Sequence, residues 1–391
     1  MSMVKLVKLD GFWSLGCHVA KACTRHVGKI RSEFDLMMMR LAGWGSGAPD
    51  FVFVWVCLGF GFGLMEAVIS GGTGFLGTNV VIALLKTGDY KKITLFALPG
   101  SVTEYTPGSD LIEVVEGDVT NAEDVGRAFA GVSPDAELVV FHICGDTSFY
   151  KPLYERQRRI NVGGTQNMVA AAAGAGASVF VHTSSVDVAL DPMPADYNYG
   201  YTKREGEGVV LEAHSDSGMR VVVLRPGMMC GPYDFTLQFG RLFLDLRDGN
   251  VPAVPPGGTS ITSVESVADA HVAAAAVVSG RSDVAGKVFD LGGVNMLYSD
   301  VFAAIAELVE ADPPSCILPA WALVAYGFVV ETWARMVGGG HPDLNPGQAR
   351  YMSFVQEVDS SAAEEVLGYV VPDLDVVLVG ARDWYVEHQF L

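Results

Sequence analysis

From residue 66 onward, short runs of nearly continuous apolar side chains alternate with longer stretches whose apolar positions recur at helical spacing. The short runs are "EAVIS", "KKITLFAL", "LIEVVEG", "AELVVFHI", "SVFVHTSS" and "MRVVVLRPG"; between them lie "NVVIALLKTG", "AEDVGRAFAG", "RINVGGTQNMVAAAAGAG" and "EGEGVVLEAHSDSG". Runs without polar alternation belong to strands buried on both faces, and the intervening helices supply the crossovers that parallel neighbours require. The pattern predicts an α/β fold, a doubly wound parallel sheet over residues 65–232. Beyond Pro232 the rhythm breaks. "DLRDGNVPAVPPGGTS" reads as a loop, "TSVESVADAHVAAAAVVSG" as a helix with a Ser or Thr cap and "GKVFDLGG" as a short strand, with helices and loops to the end. Residues 233–391 are therefore expected to form a smaller, mainly substrate-binding C-terminal part, with 259–293 returning to the core. The helix in "CILPAWALVAYGFVVETWARMVGGG" is apolar nearly all round, carrying Trp321, Tyr326, Phe328 and Trp333. Such a stripe predicts burial against neighbours ahead of a substrate-lining or membrane-touching role.

At the first strand–helix joint the chain reads "AVISGGTGFLGTNVVIAL". A strand turning at once into a helix needs a backbone conformation closed to residues with a Cβ, and a pyrophosphate lying on that turn needs atoms absent where it approaches. Gly71, Gly74 and Gly77 supply both, and a helix beginning near Phe75 points its unpaired amides and positive dipole end at the phosphates. A dinucleotide-binding Rossmann domain follows, with Gly71, Thr73, Gly74, Phe75, Leu76 and Gly77 as candidate contacts. The end of the second strand, "LFALPGS", offers Ala97, Leu98 and Pro99 where a carboxylate or an arginine would select NAD or NADP, so the choice stays open. In "VEGDVT", Asp118 and Val119 follow the third strand; Asp118 is equally readable as an adenine contact or as a helix cap beside Thr120 and Asn121.

Charge narrows the partners. Lys and Arg total 26 against 45 Asp and Glu, a formal net charge of −19, which repels phosphate backbones and argues against nucleic acid. Residues 1–64 differ from the rest, with seven basic and four acidic side chains and the apolar run "FVFVWVCLGFGFGLM". They read as a targeting segment, an anchor or a non-native start, and the last is preferred slightly because "MEAVISGGTG" opens a strand unaided. A membrane span through 51–64 is disfavoured by length, since a bilayer needs about 20 residues. The expected location is cytoplasmic, or an organelle if the basic leader is a targeting signal. Six scattered cysteines fit a reducing compartment. Cys17, His18, Cys23 and His26 match no common zinc spacing, so no metal is expected.

Candidate chemistry lies in "YNYGYTKREGEG". Tyr199 and Lys203 share a helix face, so the ammonium is expected to draw the phenol pKa down from about 10 toward neutrality. Tyr197 and Tyr201 have no lysine four residues on. Upstream, "VFVHTSSVDVAL" ends a buried strand in Thr183, Ser184 and Ser185 at the carboxyl edge, where doubly wound folds bind ligands; Ser185 is the chosen hydroxyl and Ser184 the fallback.

The set "GGTGFLG", "GDVT", "FHICGDTS", "NVGGT", "VHTSSVDV", "YGYTK", "LRPGMMCGP" and "GKVFDLGG", in this order over about residues 66–391, resembles the extended short-chain dehydrogenase/reductase superfamily. "SSVDVA", "GDTSFY", the "LPAWALVAYGFVVETWARM" segment and "DSSAAEEVLGYVVPDLD" look most like its 3β-hydroxysteroid dehydrogenase and dihydroflavonol reductase-like branch. The resemblance implies that Ser185 is the catalytic hydroxyl, Tyr199 the general acid/base and Lys203 the lysine that binds the nicotinamide ribose. It implies further that Asn161 holds the active-site helix and a proton-relay water, that Cys144 and Gly145 line the cofactor, and that Pro226 to Met228 approach the nicotinamide amide. Cys144 departs from the usual alanine, and the segment between Ser185 and Tyr199 is short for the family. The expected activity is interconversion of a secondary alcohol and a ketone with NAD or NADP, on a small hydrophobic, sterol-like substrate. The rivals are a nucleotide-sugar epimerase or dehydratase, whose second pyrophosphate would call on Arg241, Arg247 and Arg281, and a non-catalytic NAD(P)-binding sensor or scaffold. A homodimer is expected from the resemblance alone.

Overall fold

The computed structural model describes residues 65–337, 342 and 344–391. The expectations for residues 1–64, including the four metal-candidate side chains and the apolar run, lie outside the described residues.

The first half alternates as the hydrophobic pattern requires: β1 (Met65–Ser70), α1 (Phe75–Thr87), β2 (Tyr90–Ala97), β3 (Ile112–Glu116), α2 (Ala122–Phe129) and β4 (Glu137–His142). After β4 come α3 (Tyr154–Arg158), a π-helical turn (Arg159–Gly164), α4 (Thr165–Gly174) and β5 (Val179–Thr183). A 3₁₀ turn (Val186–Ala189), α5 (Asn198–Ser217) and β6 (Arg220–Pro226) complete it. Local chemistry sets the ends. Asn121 caps α2 by accepting from the amides of Glu123 and Asp124, and Gly88, at φ 71°, closes α1 in the left-handed region.

The remaining elements are β7 (Met228–Cys230), α6 (Gly240–Arg247), β8 (Gly258–Ser263), α7 (Val264–Gly280), β9 (Val288–Leu291) and β10 (Val294–Leu297). Helices α8 (Tyr298–Leu308), α9 (Ala320–Met336), α10 (Pro346–Tyr351), α11 (Ser361–Leu367) and α12 (Leu374–Glu387) follow. Ser263 caps α7 through the amides of Glu265 and Ser266.

Seven strands form one sheet in the order β3-β2-β1-β4-β5-β6-β9, every pair parallel. The order reverses between β1 and β4, which opens a crevice beyond their carboxyl ends. One face is packed by α1 and α7 around Val80, Leu84, Val267 and Val278, the other around Val125, Met168, Phe180 and Val210 from α2, α4, β5 and α5. A second sheet, β10-β8-β7, carries a third core with α6, α8 and α12. The sequence pattern missed these three short strands; β8 is "GTSITS", buried along its length yet mostly hydroxylated, so it carries no apolar signature.

Helix α9 departs from the expected burial. Only Leu323 and Gly327 are buried, whereas Trp321 is 75% and Trp333 63% exposed. Gly327 is pressed against the residues opening α10, where a Cβ would lie 2.9 Å from the Asn345 carbonyl carbon. Contact through that narrow strip leaves the rest of the apolar girth facing outward. Among the described residues no helix is long and apolar enough to cross a membrane.

Candidate active site

The glycine turn is built by close approach. Gly71 has φ 75°, and a Cβ on it would lie 2.8 Å from the Cys144 amide nitrogen. A Cβ on Gly77 would stand 2.0 Å from the Gly71 carbonyl oxygen, so α1 begins pressed onto the turn. Gly74 caps α1 without a side chain, leaving the first-turn amides with no side-chain partner at the crevice. Thr73, Phe75 and Leu76 are buried around the turn. A backbone cradle free of side chains at a helix start fits the pyrophosphate of a dinucleotide.

Along the same edge, Asp118 is exposed and accepts the Thr120 amide at 2.8 Å. It shapes the turn, while Asn121 is the helix cap. Val119 is buried, its carbonyl receiving Asn167 Nδ2 at 2.9 Å. Glu116, which carried no signal in the sequence, accepts the Gly100 amide at 3.2 Å and places a carboxylate beside the segment leaving β2.

Asn161 sits in the π-helical turn and joins three elements. Its Oδ1 accepts the Asp146 amide at 2.7 Å, and its Nδ2 donates to the Asp146 carbonyl at 2.9 Å and to Thr202 Oγ1 of α5 at 3.0 Å. Gly145 lies in the same knot, where a Cβ would meet Asn161 Oδ1 at 3.2 Å and Lys203 Nζ at 3.4 Å. Cys144 anchors the strand end by donating its amide to the Ser70 carbonyl at 3.1 Å. Pro226 is buried at the end of β6 and Met228 is half-buried at the start of β7, with Gly227 between them packed on the Ser260 carbonyl.

The structure sets Ser185 at the carboxyl edge of β5 with Tyr199 of α5 near it, and Lys203 reaches the Thr183 carbonyl at the same strand end. Ser185 caps the 3₁₀ turn, and Arg204 of α5 holds that turn by donating to the Val188 and Leu190 carbonyls. Ser185 stands near enough to the Tyr199 phenol to favour its ionised form. Ser184 faces elsewhere, donating to Glu207, which is paired with Arg225. Lys203 is buried and donates to the Thr183 carbonyl at 2.7 Å. Burial pushes its ammonium down to about 8.

The expected lowering of the Tyr199 pKa is not what the geometry produces. Burial first, and then the negative charge of Asp187, push the phenol above its ordinary value, with the Ser185 hydroxyl opposing them. Lys203 is directed at a backbone carbonyl, so the helix spacing alone does not join its ammonium to the phenol.

Asp187 is the residue the sequence reading missed. Nearly buried, it accepts Ser185 Oγ at 3.0 Å and the Tyr197 hydroxyl at 2.7 Å on Oδ2, and Gln356 Nε2 at 3.0 Å on Oδ1; burial and then the charge of Asp187 push the Tyr351 phenol up. A charged residue inside "VFVHTSSVDVAL" was the available signal; Gln356, distant in sequence, gave none. Phe149, Tyr197 and Tyr351 form an aromatic wall, with Phe149 and Tyr199 ring centroids 6.0 Å apart. Beside it a cleft of about 450 Å³ is lined by Tyr150, Asp196, Phe328, Arg335 and Pro346. Among the described residues no group of three or more His, Cys, Asp or Glu side chains is placed to hold a metal.

A doubly wound sheet with a glycine cradle at its topological switch is the frame of a dinucleotide-dependent enzyme of the extended short-chain dehydrogenase/reductase type. The chain belongs to the NAD dependent epimerase/dehydratase family, whose model matches residues 67–292. It is 25% identical over 341 residues to 3beta-hydroxysteroid-dehydrogenase/decarboxylase isoform 2 of Arabidopsis thaliana, covering 78% of this chain and 59% of that protein. It is 26% identical over 355 residues to a decarboxylating sterol-4-alpha-carboxylate 3-dehydrogenase of Candida albicans, covering 82% of this chain and 97% of the relative. Among solved structures, a dTDP-glucose 4,6-dehydratase from Streptomyces venezuelae with NAD bound shares the fold. Its TM-score is 0.66 at 18% identity, over 83% of this chain and 98% of that one.

Proposed function

We propose that the chain interconverts a secondary alcohol and a ketone on a small hydrophobic, sterol-like molecule, using Ser185, Tyr199 and Lys203. The observation carrying this reading is the nearness of the Ser185 and Tyr199 hydroxyls against an aromatic wall, with Lys203 buried at the same strand end. Gly71, Gly74 and the start of α1 would hold a nicotinamide dinucleotide, which would supply the hydride acceptor or donor. Tyr199 moves the hydroxyl proton, Ser185 holds the substrate oxygen, and Asn161 fixes α5 against the Gly145 turn. Phe149 and Tyr351, half-buried and packed on each other, offer flat apolar surface of the kind a fused-ring substrate covers. The names of the relatives point to the same substrate class.

A nucleotide-sugar substrate is disfavoured because Arg241, Arg247 and Arg281 are each paired with a nearby carboxylate, Asp245, Asp248 and Asp283. NAD is the favoured coenzyme: Glu116 would face a 2′-phosphate with like charge, and Arg127 beside it is paired with Asp124. The test is NADH formation with a 3β-hydroxysteroid, consumption of reduced coenzyme with a flavanonol and chromatographic product analysis with a UDP-sugar, whose epimerisation or dehydration leaves no net NADH, alongside fluorescence titration with NADH and NADPH. Turnover of the steroid, tighter NADH binding, and a fall in kcat of at least about 100-fold in Tyr199→Phe with unchanged NADH affinity are expected. Turnover of the UDP-sugar alone would replace the substrate assignment. Full activity in Tyr199→Phe would remove the site.

A further inference from the structure

We propose that Tyr105 is the latch of a strap closed over the pyrophosphate cradle, and that a nicotinamide dinucleotide enters and leaves when this strap lifts. The proposal rests on the dinucleotide site alone and is independent of the substrate and of the roles given to Ser185, Tyr199 and Lys203.

The connection from β2 to β3 runs over residues 98–111. It leaves the carboxyl end of β2, where the adenosine half of a dinucleotide lies in a doubly wound fold. Its tip does not settle on its own strands. The half-buried Tyr105 ring instead joins the third core, stacked on Phe235 with centroids 5.1 Å apart. It also stands edge-on to Trp384 of α12 and to His388 just beyond that helix, each at 5.7 Å.

Phe235 follows β7, and three residues before it the Pro232 carbonyl accepts Asn79 Nδ2 of α1 at 3.1 Å. At the other foot, the Gly71 amide donates to the Phe96 carbonyl of β2 at 3.0 Å. These contacts close a ring that runs from β2 through the glycine turn and the first turns of α1 to the loop after β7, and returns through Phe235 and Tyr105. The glycine cradle is one side of the ring and the strap is the other. Phosphates seated on the cradle therefore lie inside it.

The two sides are not equally firm. The cradle side is continuous chain joined by hydrogen bonds. On the strap side, residues 102–108 make no hydrogen bond or ion pair outside 98–111 among the described residues, and the buried Thr106 Oγ1 has no partner at all. Tyr105 makes every aromatic contact of the strap. A segment seated by ring packing, without hydrogen bonds to its surroundings, opens locally at lower cost than the elements around it. The ring therefore opens at Tyr105.

The measurement uses full-length protein and NADH, with stopped-flow fluorescence giving the association rate and displacement by excess NAD giving the release rate. Tyr105→Ala should raise both rates by about five- to tenfold, the scale of one aromatic pair, and move the dissociation constant by less than about threefold. Tyr105→Phe keeps the ring and should leave both rates unchanged. Phe235→Ala removes the seat from the opposite side and should act in the same direction, so the proposal stays testable if Tyr105→Ala does not fold. Unchanged rates in the alanine variants overturn the latch. Faster release at an unchanged association rate also overturns it, because Tyr105 would then be a direct ligand contact and not a gate. Failure of the unaltered protein to bind NADH overturns the cofactor reading and the strap together. If NADH binds and no alcohol is turned over, the proposed reaction falls while the two rates still decide the strap.

Discussion

At the scale of single residues, Lys203 shows how a site group can oppose the fold that carries it. Its side chain is buried with one backbone carbonyl as partner, and burial lowers its pKa from 10.5 to about 8. The folded protein therefore binds its proton more weakly than the unfolded chain does. Between pH 8 and 10.5 the unfolded state holds more protons, so stability rises with pH across that window, and below pH 8 the full cost of burying the charge is present. Lys203→Met should raise the stability of the cofactor-free protein below pH 8 by on the order of 3 kcal/mol while abolishing turnover. The gain should shrink as pH rises from 8 toward 10.5, which thermal melts of both proteins across that range will read. A constant difference would mean that packing, not the charge, sets the effect. The placement of Ser185 at a strand end and of Tyr199 and Lys203 on one helix was legible because it is local, whereas the direction of the Lys203 ammonium, toward the Thr183 carbonyl, was not. Asp187 was missed because its meaning depends on Gln356 and Tyr351, which only the tertiary fold delivers.

At the scale of elements, α5 is placed by contacts that leave it little room. The carbonyl of Asn161 in the π-helical turn faces Gly206, where a Cβ would lie 2.7 Å from the oxygen. Two residues on, Gly208 meets nothing within 4 Å. The same substitution should therefore have opposite signs on one helix. Gly208→Ala gains about 1 kcal/mol from helix propensity. Gly206→Ala loses about 1–3 kcal/mol through overpacking, and because Tyr199 and Lys203 ride on α5 it should also lower kcat more than cofactor affinity. Urea unfolding and steady-state kinetics on the pair decide it, and equal stabilisation by both would show that the helix can move away from the turn. Helix α9 makes the complementary point about legibility. Periodicity gave the helix correctly and its burial wrongly, since an all-round apolar sequence does not say which strip meets a neighbour; here a glycine in close contact chose it.

At the scale of the whole molecule, the main sheet was legible because six of its strands are apolar runs punctuated by turns, whereas β7 and β10 are too short and β8 too hydroxylated to announce themselves. The same apolar layer buries three imidazoles around β5. His142 bonds Ser70 and Thr165, His271 bonds Thr183 and the Val267 carbonyl, and His182, stacked on His142 at 5.3 Å, has no protein partner for either ring nitrogen. Burial holds His142 down to about 3 and His271 to about 4, and pushes His182 well below its ordinary value, with the charges of His142 and Lys203 adding to it. All three fold neutral, while the unfolded chain protonates them near pH 6.5. Their contribution to stability is complete above pH 6.5 and is lost progressively as the pH falls toward 4, by up to about 1.4 kcal/mol per pH unit for each. The urea midpoint should therefore drop steeply between pH 6.5 and 5. His182→Leu isolates one imidazole from every other titrating group: it should stabilise the protein at pH 7 by relieving two unpaired buried nitrogens, and should cut the acid slope by about a third. Parallel pH profiles for the two proteins would place the acid sensitivity elsewhere in the chain.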